Sequence, residues 1–307
     1  MSGLYQTSSD ASVVGGPRSL YQQALHTAGV SIPDRHRKPA GRGRVLILAA
    51  LGIAILSMVV HLVSSLGGAD GAAFRCFALH GAAALRACEE VIAADSPPEI
   101  RAEAYYNRGV ELDHLGRPAE AALAYEHAVR LKPDYAAAYT NMGIALANLG
   151  RWDDATRAYR VAIREQPEFA DAHYNLGLAL AGLRRWAEAL EAFGEAARLN
   201  PADAAALYNM GLTLNRLGRN AEAVQAYRAA VDVRPGYADA WGNLGMTAYR
   251  LGRRSDSLEA FERARSLVPT YFDDRPAQRR AWEQSRQEPP IMREQRRPEL
   301  VGQVAGD

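Results

Sequence analysis

Glycine and proline recur along this chain with a fixed spacing of 34 residues. The glycine series is Gly109, Gly143, Gly177, Gly211 and Gly245, and the proline series is Pro133, Pro167, Pro201, Pro235 and Pro269. A constant period of this length is typical of one supersecondary unit that stacks on copies of itself. The sequence therefore predicts an all-α solenoid over residues 102–271. Its five predicted units are 102–135, 136–169, 170–203, 204–237 and 238–271.

Side-chain size follows the same period. Counted from the first residue of each unit, position 24 is aromatic: Tyr125, Tyr159, Phe193, Tyr227 and Phe261. Position 27 is alanine: Ala128, Ala162, Ala196, Ala230 and Ala264. Glycine inside a helix costs about 1 kcal/mol relative to alanine, so a glycine at position 8 of every unit indicates that two helices approach closely there. Each recurring proline is predicted to end the second helix of its unit.

The second unit resembles the tetratricopeptide repeat family at every signature position. Those positions are Tyr139, Met142, Gly143, Leu146, Ala155, Tyr159, Ala162 and Pro167. The resemblance extends from Ala102 to Tyr271 and implies a right-handed α-solenoid of five helix-turn-helix repeats. It also implies that a protein or peptide partner binds in the concave groove formed by the first helix of each repeat. Arg184 replaces the turn glycine of the other four repeats and is predicted to weaken the third turn.

Residues 45–66 form a 22-residue apolar segment in which His61 is the one strongly polar side chain. At 1.5 Å per residue, a helix of this length crosses the roughly 30 Å hydrocarbon core of a bilayer. Residues 1–44 are basic and mostly disordered by composition, so they are expected to stay in the cytoplasm. This places the repeats in the periplasm of a bacterium, anchored by a single span in the inner membrane. Cleavage near Gly71, which would release a periplasmic or secreted protein, is the alternative.

The two cysteines, Cys76 and Cys88, fall in residues 67–101, predicted to be a linker and a degenerate capping half-repeat. The arrangement resembles exported bacterial proteins in which a cysteine-bearing half-repeat precedes the first full repeat, which implies a disulfide between them. Two buried thiols in a cytosolic protein are the alternative. Within this segment, Leu85 to Ala94 is predicted to be the capping helix. At the other end, residues 272–288 are predicted to form a second capping helix, and residues 289–307 a disordered tail.

Position 6 of every repeat is asparagine: Asn107, Asn141, Asn175, Asn209 and Asn243. A row of amides along a groove can pair with the main chain of an extended peptide, and it resembles the asparagine ladder of the O-linked N-acetylglucosamine transferases. The alternative is that the family consensus alone accounts for these residues. The predicted groove also contains Tyr106, Tyr174 and Tyr208 at position 5, aliphatic residues or methionine at position 9, and Arg216 and Arg250 at position 13.

The remaining features predict no enzyme, cofactor or metal site, because the seven histidines lack metal-ligand spacing and no nucleophile motif is present. A net charge of +1 argues against a nucleic-acid partner. The sequence therefore indicates a membrane-tethered scaffold that holds an extended segment of another envelope protein. A self-associating structural protein and a non-catalytic accessory subunit of an envelope enzyme are the alternatives.

Overall fold

The structure, a computed structural model, describes residues 69–287. Regular structure in this range consists of thirteen α-helices. The helices are α1 Ala69–Ala78, α2 Gly81–Ala93, α3 Pro98–His114, α4 Pro118–Leu131, α5 Ala136–Asn148, α6 Trp152–Glu165, α7 Ala170–Gly182, α8 Trp186–Leu199, α9 Ala204–Arg216, α10 Asn220–Val233, α11 Ala238–Arg250, α12 Arg254–Leu267 and α13 Pro276–Arg286.

The described residues divide into two compact units, 69–199 with helices α1–α8 and 200–287 with helices α9–α13. Within each unit, every helix packs against the helices before and after it, and the first helices of successive pairs also touch in the order α1, α3, α5 and α7. The predictions for residues 1–44, 45–66 and 289–307 fall outside the described range. Between residues 69 and 287, no helix combines the length and the apolar character needed to cross a bilayer.

Each helix pair from α3 to α12 is joined by a tight turn that ends the first helix. In the first of these turns Gly116 has a φ of +69°, and the N–H of Arg117 bonds the carbonyl of Leu112 at 2.9 Å. This six-residue hydrogen bond is the Schellman termination, which requires a left-handed residue after the helix. In the third turn Arg184 takes that conformation with a φ of +59°, while the bond from Arg185 to Leu180 persists at 2.9 Å. The turn is therefore kept without glycine, at a cost in backbone strain.

The two helices of a pair meet at the recurring glycine. A Cβ atom on Gly143 would lie 2.5 Å from the ring of Tyr159, and one on Gly177 would lie 2.6 Å from the ring of Phe193. The equivalent contacts at Gly109, Gly211 and Gly245 are also shorter than 3.0 Å. These rings are buried, as are the alanines at position 27. Each glycine thus makes room for the aromatic ring of its partner helix, which is the close approach that the sequence predicts.

Two helices precede α3, where the sequence indicates a linker and a single capping helix. The disulfide between Cys76 and Cys88 joins α1 to α2, with an S–S distance of 2.08 Å. Both cysteines are buried with Val91 and Ala104, so α2 packs its apolar side on α3. Glu111 of α3 is buried as well and accepts a hydrogen bond from the N–H of Gly81 at 2.5 Å. This carboxylate satisfies one of the open N–H groups at the start of α2.

The last helix, α13, covers the final helix pair and contacts both α11 and α12. Trp282 stacks on Phe272 with ring centroids 5.0 Å apart, and Ala281 is buried beside them. The hydroxyl of Tyr271 lies 1.7 Å from where a Cβ atom on Gly242 would be. Tyr271 therefore fills the space that a side chain at position 5 takes in the preceding pairs.

Candidate peptide-binding surface

The first helices α3, α5 and α7 lie side by side and carry most of the positions that the sequence assigns to the groove. Positions 2, 5, 6, 9, 12 and 13, counted from the first residue of each repeat, lie on one broad side of its first helix because residues three and four apart are neighbours. We call the half-buried or exposed side chains on this side of α3, α5 and α7 the first-helix face. Its residues include Asn107, Val110, Ile144, Tyr174, Asn175 and Leu178.

Two of the five asparagines do not belong to an open amide row. Asn141 is 1 % exposed and Asn209 is completely buried, so neither side chain is available to a peptide laid across the helices. The predicted row of five amides is therefore wrong at these two positions. Asn107, Asn175 and Asn243 are half-buried.

The amide of Asn141 links two neighbouring helix pairs. Its Nδ2 atom donates a hydrogen bond to the hydroxyl of Tyr106 at 3.1 Å, from α5 to α3. Asn243 donates in the same way to the hydroxyl of Tyr208 at 2.9 Å, from α11 to α9. Asn175 donates instead to the carbonyl of Asp171 in its own helix at 2.8 Å. At positions 141 and 243 the asparagine thus stabilises the packing of one pair on the next.

Tyr106 and Tyr208 are buried, which corrects their assignment to the groove. Tyr106 packs on Tyr135 with ring centroids 4.9 Å apart, and Tyr208 packs on Tyr237 at 4.8 Å. Burial raises the pKa of Tyr208 far above its usual value, so its hydroxyl stays protonated. Tyr174 is half-buried, with its ring 5.9 Å from that of Phe193, and remains part of the first-helix face.

A carboxylate that the sequence interpretation missed lies on α3. The hydroxyl of Tyr125 donates to Oδ2 of Asp113 at 2.9 Å, and burial raises the pKa of Asp113 to about 6, against the opposing effect of this hydrogen bond. At the equivalent place in the other unit, Nδ2 of Asn215 donates to the hydroxyl of Tyr227 at 3.1 Å. In the sequence, a polar residue at position 12 together with tyrosine at position 24 indicates this hydrogen bond between the two helices of a pair.

An aliphatic row runs across the first-helix face. Val110 of α3, Ile144 of α5 and Leu178 of α7 occupy position 9, and each is half-buried. The packing of α3, α5 and α7 against one another brings these side chains onto one surface. In the other unit, Leu212 and Met246 occupy the same position on α9 and α11 and are half-buried as well.

The two arginines assigned to the groove, Arg216 and Arg250, are exposed at the last residues of α9 and α11. A cation there interacts favourably with the negative end of the helix dipole. Both arginines belong to residues 200–287. The aliphatic row of α3, α5 and α7 belongs to residues 69–199, so the two sets are described separately.

Sequence profiles of one family match this chain. One profile described as tetratricopeptide repeat matches residues 102–135, and a second with the same description matches residues 140–204, 180–238 and 208–272. Together they cover more than half of the 307 residues. A search of curated protein sequences found no match.

Solved structures with a similar fold include YrrB, described as a TPR protein with an unusual peptide-binding site. YrrB is 27% identical with a TM-score of 0.52, over 59% of this chain and 92% of its own. A MamA RS-1 double mutant is 25% identical with a TM-score of 0.53, over 59% and 100% of the two chains. MamA 41-end from Desulfovibrio magneticus RS-1 is 24% identical with a TM-score of 0.50, over 64% of this chain and 100% of its own. At this identity the similarity concerns the fold only.

Proposed function

We propose that this chain, which belongs to the tetratricopeptide repeat family, is a scaffold that binds an extended segment of a partner protein on its first-helix face. The observation that carries this proposal is the aliphatic row of Val110, Ile144 and Leu178, which the helix packing leaves half-open to solvent. A contiguous apolar patch rimmed by polar residues is typical of a protein-interaction site. The described likeness to YrrB, a TPR protein with a peptide-binding site, supports the same function.

Site-specific crosslinking in intact cells tests this proposal. A photoreactive residue at Ile144 lies on the first-helix face, whereas one at Arg157 lies on α6, where the arginine side chain is 70% exposed. We expect a discrete adduct with a partner protein from position 144 and none from position 157. Absence of any adduct at 144, or the same adducts at both positions, would contradict the proposal.

We further propose that residues 45–66 anchor the scaffold in the inner membrane, with residues 1–44 in the cytoplasm and the helices in the periplasm. The 22-residue apolar length and the basic residues before it support this topology. The disulfide between Cys76 and Cys88 also supports it, because disulfides persist in oxidising compartments. The scaffold would then contribute to assembling or recruiting an envelope complex.

Cell fractionation combined with thiol labelling tests this topology. We expect the full chain in the membrane fraction and no labelling of Cys76 or Cys88 until a reductant is added. A shorter chain in the soluble periplasmic fraction would favour the alternative of cleavage and release. Labelling of both thiols from the cytoplasm would exclude either form of export.

Self-association is a second candidate function that a specific surface favours. Leu115 after α3, Leu149 after α5 and Trp152 at the start of α6 are 38–47% exposed. Sedimentation of the purified protein across a range of concentrations tests it, since an unchanging monomer would exclude assembly through this edge. The third candidate, a non-catalytic accessory subunit of an envelope enzyme, differs from the scaffold in the identity of the partner crosslinked at Ile144.

A further inference from the structure

The charges on the first-helix face of α3, α5 and α7 are predominantly acidic. Glu103 and Asp113 lie on α3, and Asp171 lies in the first turn of α7. Neither α5 nor α7 contains lysine or arginine. The surface around the aliphatic row is thus apolar and anionic, in contrast to the exposed Arg216 and Arg250 of the other unit.

The two arginines of α3 point away from this face. Arg108 pairs with Glu89 of α2 at 3.8 Å. Arg101 precedes Arg108 by seven residues, which is two helical turns, so both lie on the same side of the helix. Lys132 borders the face: its Nζ atom lies 4.7 Å from the ring centroid of Tyr135, and its charge acts against the pKa rise of Glu103.

Two of the carboxylates are partly withdrawn from water. Burial raises the pKa of Glu103, and it raises the pKa of Asp113 to about 6. The hydroxyl of Tyr125 of α4 donates a hydrogen bond to the carboxylate of Asp113, and the next residue of α3, His114, lies 4.0 Å from the carboxylate of Glu111. A carboxylate in such surroundings gains stability in its charged form when a cation comes near.

Asp113 lies three residues after Val110, so the carboxylate and the start of the aliphatic row are neighbours on α3. Packed helices are about 8–10 Å apart, and the row from Val110 to Leu178 therefore spans about 20 Å. An extended chain covers this distance with about six residues at roughly 3.3 Å each. Alternate side chains of such a segment would point to the face, which sets the pattern that a ligand must present.

We propose that the first-helix face of residues 98–182 binds a cationic extended segment of a partner protein. In it, apolar side chains cover Val110, Ile144 and Leu178, and a lysine or arginine lies beside Asp113. Charge complementarity carries this assignment, since the face presents Glu103, Asp113 and Asp171 and no lysine or arginine. Its one histidine is His114, whose Nδ1 atom lies 4.0 Å from the carboxylate of Glu111. The inference rests on the proposed scaffold function and adds the chemistry of the ligand.

Three fluorescent decapeptides test the inference by anisotropy with the full-length protein in detergent. Each has serine at every second position, so that the other five side chains point to one side. The central three of those five are valine, and the outer two are arginine in the first peptide, serine in the second and glutamate in the third. We expect the arginine peptide to bind at least ten times more tightly than the serine peptide and the glutamate peptide not to bind. We also expect the affinity of the arginine peptide to fall between pH 7.5 and pH 5, as Asp113 becomes protonated. The same fall is expected in His114→Gln, which removes the histidine beside Asp113.

Asp113→Asn is the variant that isolates the charge. Asparagine occupies the equivalent position at Asn215 and bonds Tyr227, so the variant is expected to fold, as circular dichroism will verify. We expect it to bind the arginine peptide about fivefold more weakly and the serine peptide unchanged. The matched control is Glu191→Gln, which removes one exposed negative charge from α8 and should leave both affinities unchanged.

The outcomes separate this inference from the function on which it rests. If none of the three peptides binds, the peptide-binding function itself is contradicted. If all three peptides bind with equal affinity, or the glutamate peptide binds most tightly, the inference is wrong but the proposed peptide-binding function is still supported. If the arginine peptide binds only after residues 288–307 are removed, the C-terminal segment of this chain occupies the face. If it binds only to a monomer released from a dimer, a second copy of the chain occupies the face. Either result overturns the inference.

Discussion

The side-chain amide of Asn141 donates a hydrogen bond to the hydroxyl of Tyr106 in the preceding helix pair, at 3.1 Å. Both residues are buried, so the bond lies inside the packing between α3 and α5. The same pair of residue types meets again at Asn243 and Tyr208, at 2.9 Å. A recurrent asparagine in a helical repeat can therefore serve the contact between repeats rather than the capture of a ligand.

Replacing Asn141 with alanine should destabilise the protein. The change removes the hydrogen bond from this amide to the buried hydroxyl of Tyr106, and loss of a buried hydrogen-bond partner typically costs about 1–3 kcal/mol. We expect a lower midpoint of urea unfolding for Asn141→Ala, followed by circular dichroism. Asn148→Ala, at an exposed position at the end of α5, is the control and should change stability by less than about 0.5 kcal/mol. Equal effects of the two substitutions would contradict the buried role of Asn141.

Glycine-to-alanine changes at Gly177 and Gly194 should have opposite signs. A Cβ atom at Gly177 would lie 2.6 Å from the buried ring of Phe193, and overpacking of this kind costs about 1–3 kcal/mol. A Cβ atom at Gly194 would meet nothing within 4 Å, so alanine there should stabilise α8 by about 0.5–1 kcal/mol. Thermal unfolding of the two variants measures both effects. A gain in stability at Gly177 would refute the close approach of α7 and α8.

Arg184→Gly should stabilise the turn between α7 and α8. Arg184 holds a φ of +59°, a conformation that costs a non-glycine residue roughly 1–2 kcal/mol. We expect a higher denaturation midpoint for the glycine variant. Arg184→Ala is the control, because it removes the same charge but keeps the backbone cost, and it should produce no comparable gain. If alanine stabilises as much as glycine, the charge and not the backbone is responsible.

The stability of the protein should depend on the charge of Asp113 between about pH 4 and pH 6. Burial raises the pKa of Asp113 in the folded state from 3.8 to about 6, so the folded state binds the proton more tightly than the unfolded state. Asp113 therefore contributes stability that is fully present below about pH 4 and is lost as the pH rises through 6. Allowing for partial solvation of the carboxylate, we expect this change to be about 1–2 kcal/mol.

Asp113→Asn should remove that pH dependence, and the reciprocal change Asn215→Asp should introduce it at the equivalent position. Urea unfolding of the wild type and both variants at pH 4, 5, 6 and 7 measures the difference. The prediction fails if the stability of Asp113→Asn relative to the wild type is the same at all four pH values.

Much of the helix-pair architecture could be predicted from the sequence because its determinants are local. Gly177 and Phe193 stand 16 residues apart and always face each other within a pair, and Gly116 ends its helix through its own backbone freedom. The first helix, α1, was missed. Its ten residues are too few for a helical period to be recognised.

The candidate site was harder to predict, because a helical position specifies a side of the helix and not what lies against that side. Positions 5 and 6 of α5 and α9 were placed in a groove, yet Asn141 and Tyr208 are covered by neighbouring side chains. The raised pKa of Asp113 results from its burial where α3 packs on α4, and the residue pattern of α3 alone does not indicate that burial.

The sequence by itself determined the helical class, the period, the turns and the close contact at each recurring glycine, because these depend on backbone freedom and side-chain size within one repeat. Only the tertiary structure decided which polar side chains hold the helix pairs together and which remain open to a partner. The physical reason is that burial and hydrogen bonding between repeats, such as Asn141 with Tyr106, arise when separate pairs pack. What packing leaves open is the row of Val110, Ile144 and Leu178.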